Sequence, residues 1–156
     1  MPIYSGFSVH TILQVYDVSD ISNPVLRQTI SVEGSYLGSR MIGDYLYLIA
    51  QHWVWDDGGN VVLPMLATDG KNITIAPTDV YYSPQRDFSF VYTIVLAANL
   101  QESSANPSIQ TYLIGASSTI YVSPNNLYLT VSRYAYYEGD NLRTIIHRIH
   151  LDGSSR

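Results

Sequence analysis

One short segment recurs three times in this chain, and that repetition limits its fold more than any other feature. The copies begin at Thr11, Thr93 and Thr144, and in each the Thr is followed by two aliphatic residues, with another aliphatic residue five positions further on. Repetition of this kind is typical of arrays in which each unit buries its faces against its neighbours. The chain is therefore predicted to consist of similar units stacked on one another.

Two further elements recur in the same order. Asn-Pro pairs at 23–24 and 106–107 each open a second apolar run, and Asp44 and Asn125 each stand in a polar turn before an aliphatic and aromatic strand. Asn and Asp suit such turns because their side chains bond nearby backbone and tolerate left-handed geometry. No window has helical periodicity, so strands alone are predicted, at about 11–18, 25–32, 36–42, 45–52, 91–98, 108–114, 117–123, 127–134 and 143–151.

Units of roughly 45 to 50 residues with four short strands are what a propeller blade requires. We therefore predict an all-β fold of β-propeller-like, four-stranded antiparallel blades. A closed ring takes at least about four blades, so the chain is predicted to form a partial, open propeller. It would hold the last half of one blade at about 11–32, a complete blade at about 36–114 with an insertion at about 53–90, and a partial blade at about 117–151.

Composition excludes several classes of function. Charged residues make up only 13% of the chain, the net charge is -5, and the basic residues are scattered, which argues against nucleic-acid binding. The chain has no cysteine, so it can form neither a disulfide nor a thiolate metal site. No apolar run approaches the length that spans a bilayer, so no membrane insertion is expected. No phosphate loop, nucleophile elbow or zincin motif is present, and no cofactor is predicted.

The predicted insertion holds the most interesting candidates for ligand binding. Aromatic faces beside carboxylates are what a carbohydrate or peptide site uses, and long loops are often functional. The same aromatic residues could instead cover the flank of their own blade, since Tyr and Trp bury area while leaving a polar tip wet. Both interpretations stay open for the candidate ligand-binding residues, which are Trp53, Trp55, Asp56, Asp57, Tyr81, Tyr82 and Arg86.

Other polar residues are assigned structural roles. Asp17 and Asp20 bracket the end of a predicted strand, where carboxylates accept backbone N–H bonds in a turn more often than they bind a cation. Arg40 lies in the strand predicted nearest the channel, where pairing with a carboxylate or with carbonyl groups is favoured over ligand capture.

No metal site is predicted from the sequence. His147 and His150 are three apart on a predicted strand and so point to opposite faces. The acidic run at 56–60 has oxygen donors for calcium but lacks the ligand spacing and terminal Glu of an EF-hand.

Three segments carry a family resemblance. Residues 15–26, Val-Tyr-Asp-Val-Ser-Asp-Ile-Ser-Asn-Pro-Val-Leu, resemble the Leu-Val-Ile-Val-Asp repeat of bacterial and archaeal surface propellers. Residues 39–48 and 144–153 resemble the secreted archaeal and bacterial proteins whose C-terminal β-propeller is distantly related to the WD40 type. The resemblance implies a propeller with an extracellular or cell-envelope location, and it supplies no catalytic residue. Asn99 stands where the first copy has Asp17, so that carboxylate is not required in every blade.

These observations favour a non-enzymatic propeller module that serves cell-surface structure or protein interaction. One alternative is a carbohydrate-binding module that uses the aromatic residues of the insertion. Another is a piece of a propeller enzyme whose active site needs further blades. The open edges of the predicted sheets also suggest self-association, because unpaired strands template the addition of another strand.

Overall fold

The computed structural model describes residues 8–54, 56–57, 60–83, 90–102, 105–133 and 143–151. Within these residues the chain forms strands and one 3-10 turn at Pro77–Asp79. The all-β prediction is confirmed, and each of the nine predicted strands is present with ends within one residue of those predicted. The strands are β1 (His10–Asp17), β2 (Val25–Glu33), β3 (Ser35–Ile42), β4 (Tyr45–Trp53), β5 (Asp56–Asp57), β6 (Asn60–Val61), β7 (Leu66–Thr68), β8 (Lys71–Ile73), β9 (Val80–Tyr82), β10 (Val91–Asn99), β11 (Ser108–Ile114), β12 (Ser117–Ser123), β13 (Asn126–Arg133) and β14 (Arg143–His150).

These strands form three main sheets. The first sheet has the order β1-β2-β7-β8, the second has the order β3-β4-β10-β11-β9, and the third has the order β12-β13-β14. Strands β5 and β6 pair only with each other. Neighbouring strands are antiparallel except for β9, which pairs parallel to β11. Four of the nine described antiparallel pairs are hairpins with two-residue connections, namely β3–β4, β5–β6, β7–β8 and β12–β13.

The second sheet lies between the other two. Val91–Ala98 of β10 is buried at every position, which is the pattern of a strand covered on both faces. In β1 and β14, by contrast, exposed and half-buried residues alternate along most of the strand, as in strands with one covered face. The three sheets therefore stack face to face, with β10 at the centre.

Two apolar clusters fill the spaces between the sheets. Ile94 and Leu96 of β10 pack on one side with Ile30 and Val32 of the first sheet. Val95 and Ala97 point to the other side and pack with residues of the third sheet, namely Leu127, Leu129, Val131 and Ile149. Each fully buried Ile or Leu contributes roughly 1.5–3 kcal/mol, so these two interfaces are the main source of stability.

The insertion between β4 and β10 is not a single loop. Its strand β7 pairs with β2 and β8 pairs with β7, which extends the first sheet to four strands, while β9 pairs with β11 of the second sheet. Asp69 turns the chain between β7 and β8 with a φ of 49°, and its carboxylate accepts a hydrogen bond of 2.8 Å from the backbone N–H of Thr29. The insertion thus supplies sheet structure to two of the three layers.

Gly34 is the single residue that joins β2 of the first sheet to β3 of the second. Its φ is +136°, and a Cβ there would lie 2.7 Å from the backbone oxygen of Gln51. Its N–H donates to the carbonyl of Val9 over 2.7 Å, and its own carbonyl accepts from the hydroxyl of Thr11 over 2.8 Å. Only glycine avoids both the backbone strain and the overlap at this corner.

The described part of the chain contains no helix long and apolar enough to cross a membrane.

Candidate functional site

The aromatic residues predicted to bind ligand lie along one end of the second sheet. Trp53 closes β4 and is 55% exposed, and Tyr81 and Tyr82 of β9 are 60% and 74% exposed. Asp56–Asp57 forms β5, opposite Asn60–Val61. Trp55 and Arg86 fall outside the described residues.

The strand register separates these aromatic residues. Trp53 is opposite Val91, and Tyr81 is opposite Tyr112, so both side chains point to the face that meets the third sheet. Tyr82 is the next residue along β9 and points to the other face. Three strand spacings, or about 14 Å, lie between β4 and β9. The described aromatic residues therefore line an extended edge and do not form one pocket.

Tyr81 is held by its neighbour Tyr112. Their ring centroids are 5.4 Å apart with an interplanar angle of 27°. Burial, together with the nearby Tyr81, raises the pKa of Tyr112 to about 12, so this phenol stays protonated and donates to the amide oxygen of Gln110 over 2.8 Å. The pair fixes the ring of Tyr81 with one side still open to solvent.

The carboxylates of Asp17 and Asp20 are occupied by the turn that follows β1. Asp17 accepts from the N–H of Ser19 over 2.9 Å and pairs with Arg27 over 2.7 Å, and Asp20 accepts from the N–H of Ser22 over 3.0 Å. The hydrogen bond from Arg27, followed by the bonds from Ser19, holds the pKa of Asp17 well below its usual range. The two carboxylates serve backbone groups of their own turn.

The second copy of the repeat makes the same turn with an amide. Asn99, the equivalent of Asp17, accepts from the N–H of Gln101 over 2.9 Å through its side-chain oxygen. An amide oxygen replaces the carboxylate without loss of the turn bond, because that bond needs only an acceptor.

Arg40 lies on β3, at the edge of the second sheet, and is exposed. Its guanidinium has no hydrogen bond or ion pair with the other described residues, and the pairing expected from the sequence stays a prediction.

A polar cluster that no sequence motif marks lies where β1 begins and β2 ends. Glu33 accepts from the hydroxyl of Ser8 over 2.6 Å and from the N–H of Met65 over 2.8 Å. The Ser8 oxygen is also 3.0 Å from Nε2 of His10. His52 lies nearby on β4, close enough for its charge to act on Glu33, and its ring stacks near Tyr92 with 6.5 Å between centroids. The group combines a hydroxyl, two imidazoles and a carboxylate.

The hydrogen bonds of this cluster run in a different direction from those of a hydrolase triad. In a triad the serine donates to the histidine, and the acid accepts from the other ring nitrogen. Here Ser8 donates to Glu33, so the contact with His10 must come from a ring N–H, and the other ring nitrogen faces the hydroxyl of Ser31 at 3.3 Å. Ser8 therefore has no imidazole base within the described residues.

The pKa values of Glu33 and His52 are both lowered, which makes each group a weak base. Burial opposes the charged form of Glu33, but the hydrogen bonds from Ser8 and Met65 and the nearby imidazoles outweigh it, so the pKa of Glu33 is lowered. A carboxylate with a lowered pKa is a weak base. Burial lowers the pKa of His52, and the charge of Glu33 only partly offsets that effect.

The register of the first hairpin is the signal that could have revealed this cluster. Glu33 lies opposite His10 in the β1–β2 pair, so a hairpin alignment would have placed the acid beside Ser8 and His10. Met65 belongs to a later segment of the chain and His52 to another sheet. No local sequence pattern predicts that they lie near Glu33.

An open cleft of about 460 Å³, lined mostly by polar residues, lies between the first sheet and the turn before β11. Its lining includes Gln28, Asp69, Lys71 and Asn106, with no aromatic residue. In the described part of the chain no three His, Asp or Glu side chains come together in a way that could hold a metal ion.

Comparisons with known proteins agree with the stacked sheets. The family model described as Beta propeller domain matches residues 2–156. An uncharacterized protein from the archaeon Archaeoglobus fulgidus is 28% identical over 105 residues, which cover 65% of this chain and 16% of that relative. The chain thus aligns with less than a fifth of the length of this relative. No solved structure matches. Because the family model covers essentially the whole chain, the protein belongs to the beta propeller domain family.

Proposed function

We propose that this chain is a non-enzymatic β-propeller module of an exported or cell-surface protein, in which it serves structure or protein interaction. In this proposal the three sheets are consecutive blades, with the second as the complete one and the insertion at 53–90 shared between it and its neighbour. The family membership supports a propeller module. The resemblance to secreted and surface propellers motivates the location.

The observation that carries the non-enzymatic role is the direction of the hydrogen bonds around Glu33. In the one described cluster that combines a hydroxyl, imidazoles and a carboxylate, the Ser8 hydroxyl donates its hydrogen bond to Glu33 and accepts one from His10. The carboxylates of Asp17, Asp20 and Asp69 accept hydrogen bonds from backbone N–H groups. Because the pKa of Glu33 is lowered, its carboxylate is a weak base for the Ser8 hydroxyl, and a carboxylate that binds a backbone N–H has no nucleophile to activate.

A substrate screen tests this role. The full chain is assayed against ester, peptide, glycoside and phosphate substrates, beside Ser8→Ala and Glu33→Gln. We expect no turnover above buffer from any of the three proteins. Turnover by the wild type that either substitution abolishes would refute the non-enzymatic role, whereas turnover that both variants retain would indicate a contaminant or a different site.

The location is tested by fractionation of the source cells with an antibody raised against the chain. Recovery in the envelope or the culture medium, with loss of the envelope signal when intact cells are treated with protease, is the expected result. Recovery only in the soluble cell interior would contradict the proposed export.

A carbohydrate-binding role is the second candidate, and the exposed aromatic edge of the second sheet favours it. Trp53 and Tyr81 share a face, and Tyr81 is held by Tyr112 in a position that leaves one side open. Planar rings spaced about 14 Å apart along a sheet suit an extended glycan better than a single sugar.

A glycan array tests this candidate directly. Wild type is compared with the Trp53→Ala, Tyr81→Ala double variant and with Tyr36→Ala, a matched control on β3 whose ring is 58% exposed. Binding that is lost in the double variant and kept in the control would support the carbohydrate role. Absence of binding, or binding that the double variant retains, would reject it.

The third candidate is a piece of a propeller enzyme. It is motivated by the small share of the archaeal relative that this chain covers. Comparison of the longest product of the source gene with the 156-residue chain in the same substrate screen separates the two cases. Activity confined to the longer product would favour this candidate over the first.

A further inference from the structure

In the described part of the chain, the outer face of the first sheet and the outer face of the third are covered by no other sheet, and the repeat shows what kind of surface covers such faces. Ile12 is 61% exposed on the outer face of the first sheet, and Ile146 is 65% exposed on the outer face of the third. Their equivalents in the second sheet are Ile94, which is 0% exposed, and Val95, which is 4% exposed. The same repeat position is therefore buried in the sheet with two neighbours and exposed in the sheets with one.

Both interfaces within the chain follow one rule. The Ile94 face of the second sheet packs against the face of the first sheet that carries Leu13, the equivalent of Val95. The Val95 face of the second sheet packs against the face of the third sheet that carries Ile149. Ile149 and Ile145 share that face, and Ile145 is the equivalent of Ile94. Each interface thus joins an Ile94-type face to a Val95-type face.

The two open faces are one of each type. The outer face of the first sheet carries Ile12, the Ile94 equivalent, and the outer face of the third sheet carries Ile146, the Val95 equivalent. We propose that the outer face of the first sheet binds the outer face of the third sheet of a second copy, in a head-to-tail contact that continues the stack. Contacts of this kind join different surfaces of two identical molecules, so they close into rings or extend into chains.

Aromatic and aliphatic side chains support this contact on both sides. The outer face of the first sheet also presents Tyr16, four residues from Ile12 on β1, and Leu26 opposite it. The outer face of the third presents Tyr121 on β12, two strands from Ile146. Tyrosine suits a surface that is alternately wet and buried, because its ring buries area and its hydroxyl stays hydrated.

The open faces are also more polar than the covered ones, and this sets the strength of the contact. Gln14 stands at the position of Leu96, and Thr130 stands at the position of Ile49. Both Leu96 and Ile49 are 0% exposed in the covered interfaces. Because polar groups replace buried aliphatic ones, we expect a reversible contact between copies that is weaker than the packing within one chain.

Sedimentation velocity over a range of concentrations tests the contact. The full wild-type chain should associate as concentration rises. Ile12→Asp and Ile146→Asp should each raise the dissociation constant at least about tenfold, because each places a charge in the contact. Ile21→Asp is the matched control, since Ile21 is 87% exposed in the turn between β1 and β2, outside the strands that form the two faces, and it should associate like the wild type.

A mixture of the two variants gives the sharper result. The Ile12→Asp chain keeps an intact third sheet and the Ile146→Asp chain keeps an intact first sheet, so an equimolar mixture should form dimers and nothing larger. Far-UV circular dichroism and the urea midpoint show whether each variant folds. If either Asp variant does not fold, Ile12→Gln and Ile146→Gln replace the pair.

Three outcomes would overturn the inference. They are a wild-type chain that stays monomeric, an Ile12→Asp or Ile146→Asp chain that associates as the wild type does, and a mixture of these two variants that stays monomeric. Undiminished association in both variants would point to the strand edges instead. The proposed association rests on the proposed propeller module, but different results refute the association and the proposed function. Enzymatic turnover would refute the proposed function and leave the association unchanged, whereas loss of association would leave the substrate screen unchanged.

Discussion

Replacement of Gly34 by Ala tests the corner between the first two sheets, and its cost follows from the geometry there. A Cβ would lie 2.7 Å from the oxygen and 2.9 Å from the carbon of the Gln51 carbonyl, at a φ of +136°. The disfavoured backbone costs about 1–3 kcal/mol, and shifting backbone out of the overlap costs about 1–3 kcal/mol more. The free energy of unfolding should therefore fall by about 2–6 kcal/mol.

Urea unfolding followed by circular dichroism measures this loss, and Gly43→Ala is the matched control. Gly43 also has a positive φ, of +56°, but a Cβ at this position would have no other atom within 4 Å, so its replacement should cost only about 1–2 kcal/mol. With a urea slope of roughly 1–3 kcal/mol per molar, the two variants should differ in midpoint by about 1 M. Equal midpoints for the two variants, or a Gly34→Ala midpoint like that of the wild type, would refute the close approach at this corner.

The remaining predictions concern the core and the polar cluster. Ile94→Ala should lower the free energy of unfolding by about 2–5 kcal/mol, and Ile12→Ala, its repeat equivalent, by less than about 1 kcal/mol, since it is already exposed; equal losses in urea unfolding would contradict the stacking. Because the pKa of His52 is lowered from 6.5 in the folded state, stability should begin to fall as pH drops below about 6.5, and His52→Gln should remove that first decline. The pKa of Glu33 is also lowered from 4.5, so its contribution is present above that value and is lost as pH falls further; Glu33→Gln should flatten the lower part of the pH profile of thermal unfolding.

The nine predicted strands could be found from sequence because repeat copies and turn residues marked many of their ends. Repeat copies fixed where β1, β10 and β14 begin, and turn residues such as Asp44 and Asn125 fixed where strands β4 and β13 follow. A turn signal needs only neighbouring residues, and a repeat copy needs only comparison within the sequence. Neither depends on a tertiary contact, and the strands form where these signals predict them.

The insertion strands had no such signals. Strands β7 and β8 are three residues long and have no repeat copy. They form because β7 pairs with β2, which precedes it by more than 30 residues in the chain, and β8 pairs with β7. A strand of that length has no stability apart from its partner. Its presence follows from the tertiary contact, which a local pattern does not contain.

The candidate site was predictable only in part for the same reason. Exposed aromatic residues in the insertion could be named from composition, but the separation of Tyr81 from Tyr82 onto opposite faces needed the location of β9. The bonds of Glu33 to Ser8 and Met65 join segments on both sides of it in the chain. Of the features that form the Glu33 cluster, only the register of β1 with β2 could have been predicted from the sequence.

The order in which the chain visits its sheets has a consequence for how such a protein can be divided or duplicated. The chain leaves the first sheet after β2, begins the second with β3 and β4, returns to the first for β7 and β8, and only then completes the second with β10 and β11. No cut in the sequence separates these two sheets into whole units, since each contains a segment that lies between parts of the other. Gene duplication or excision can therefore copy or remove them only as a pair, and they should unfold as one cooperative unit.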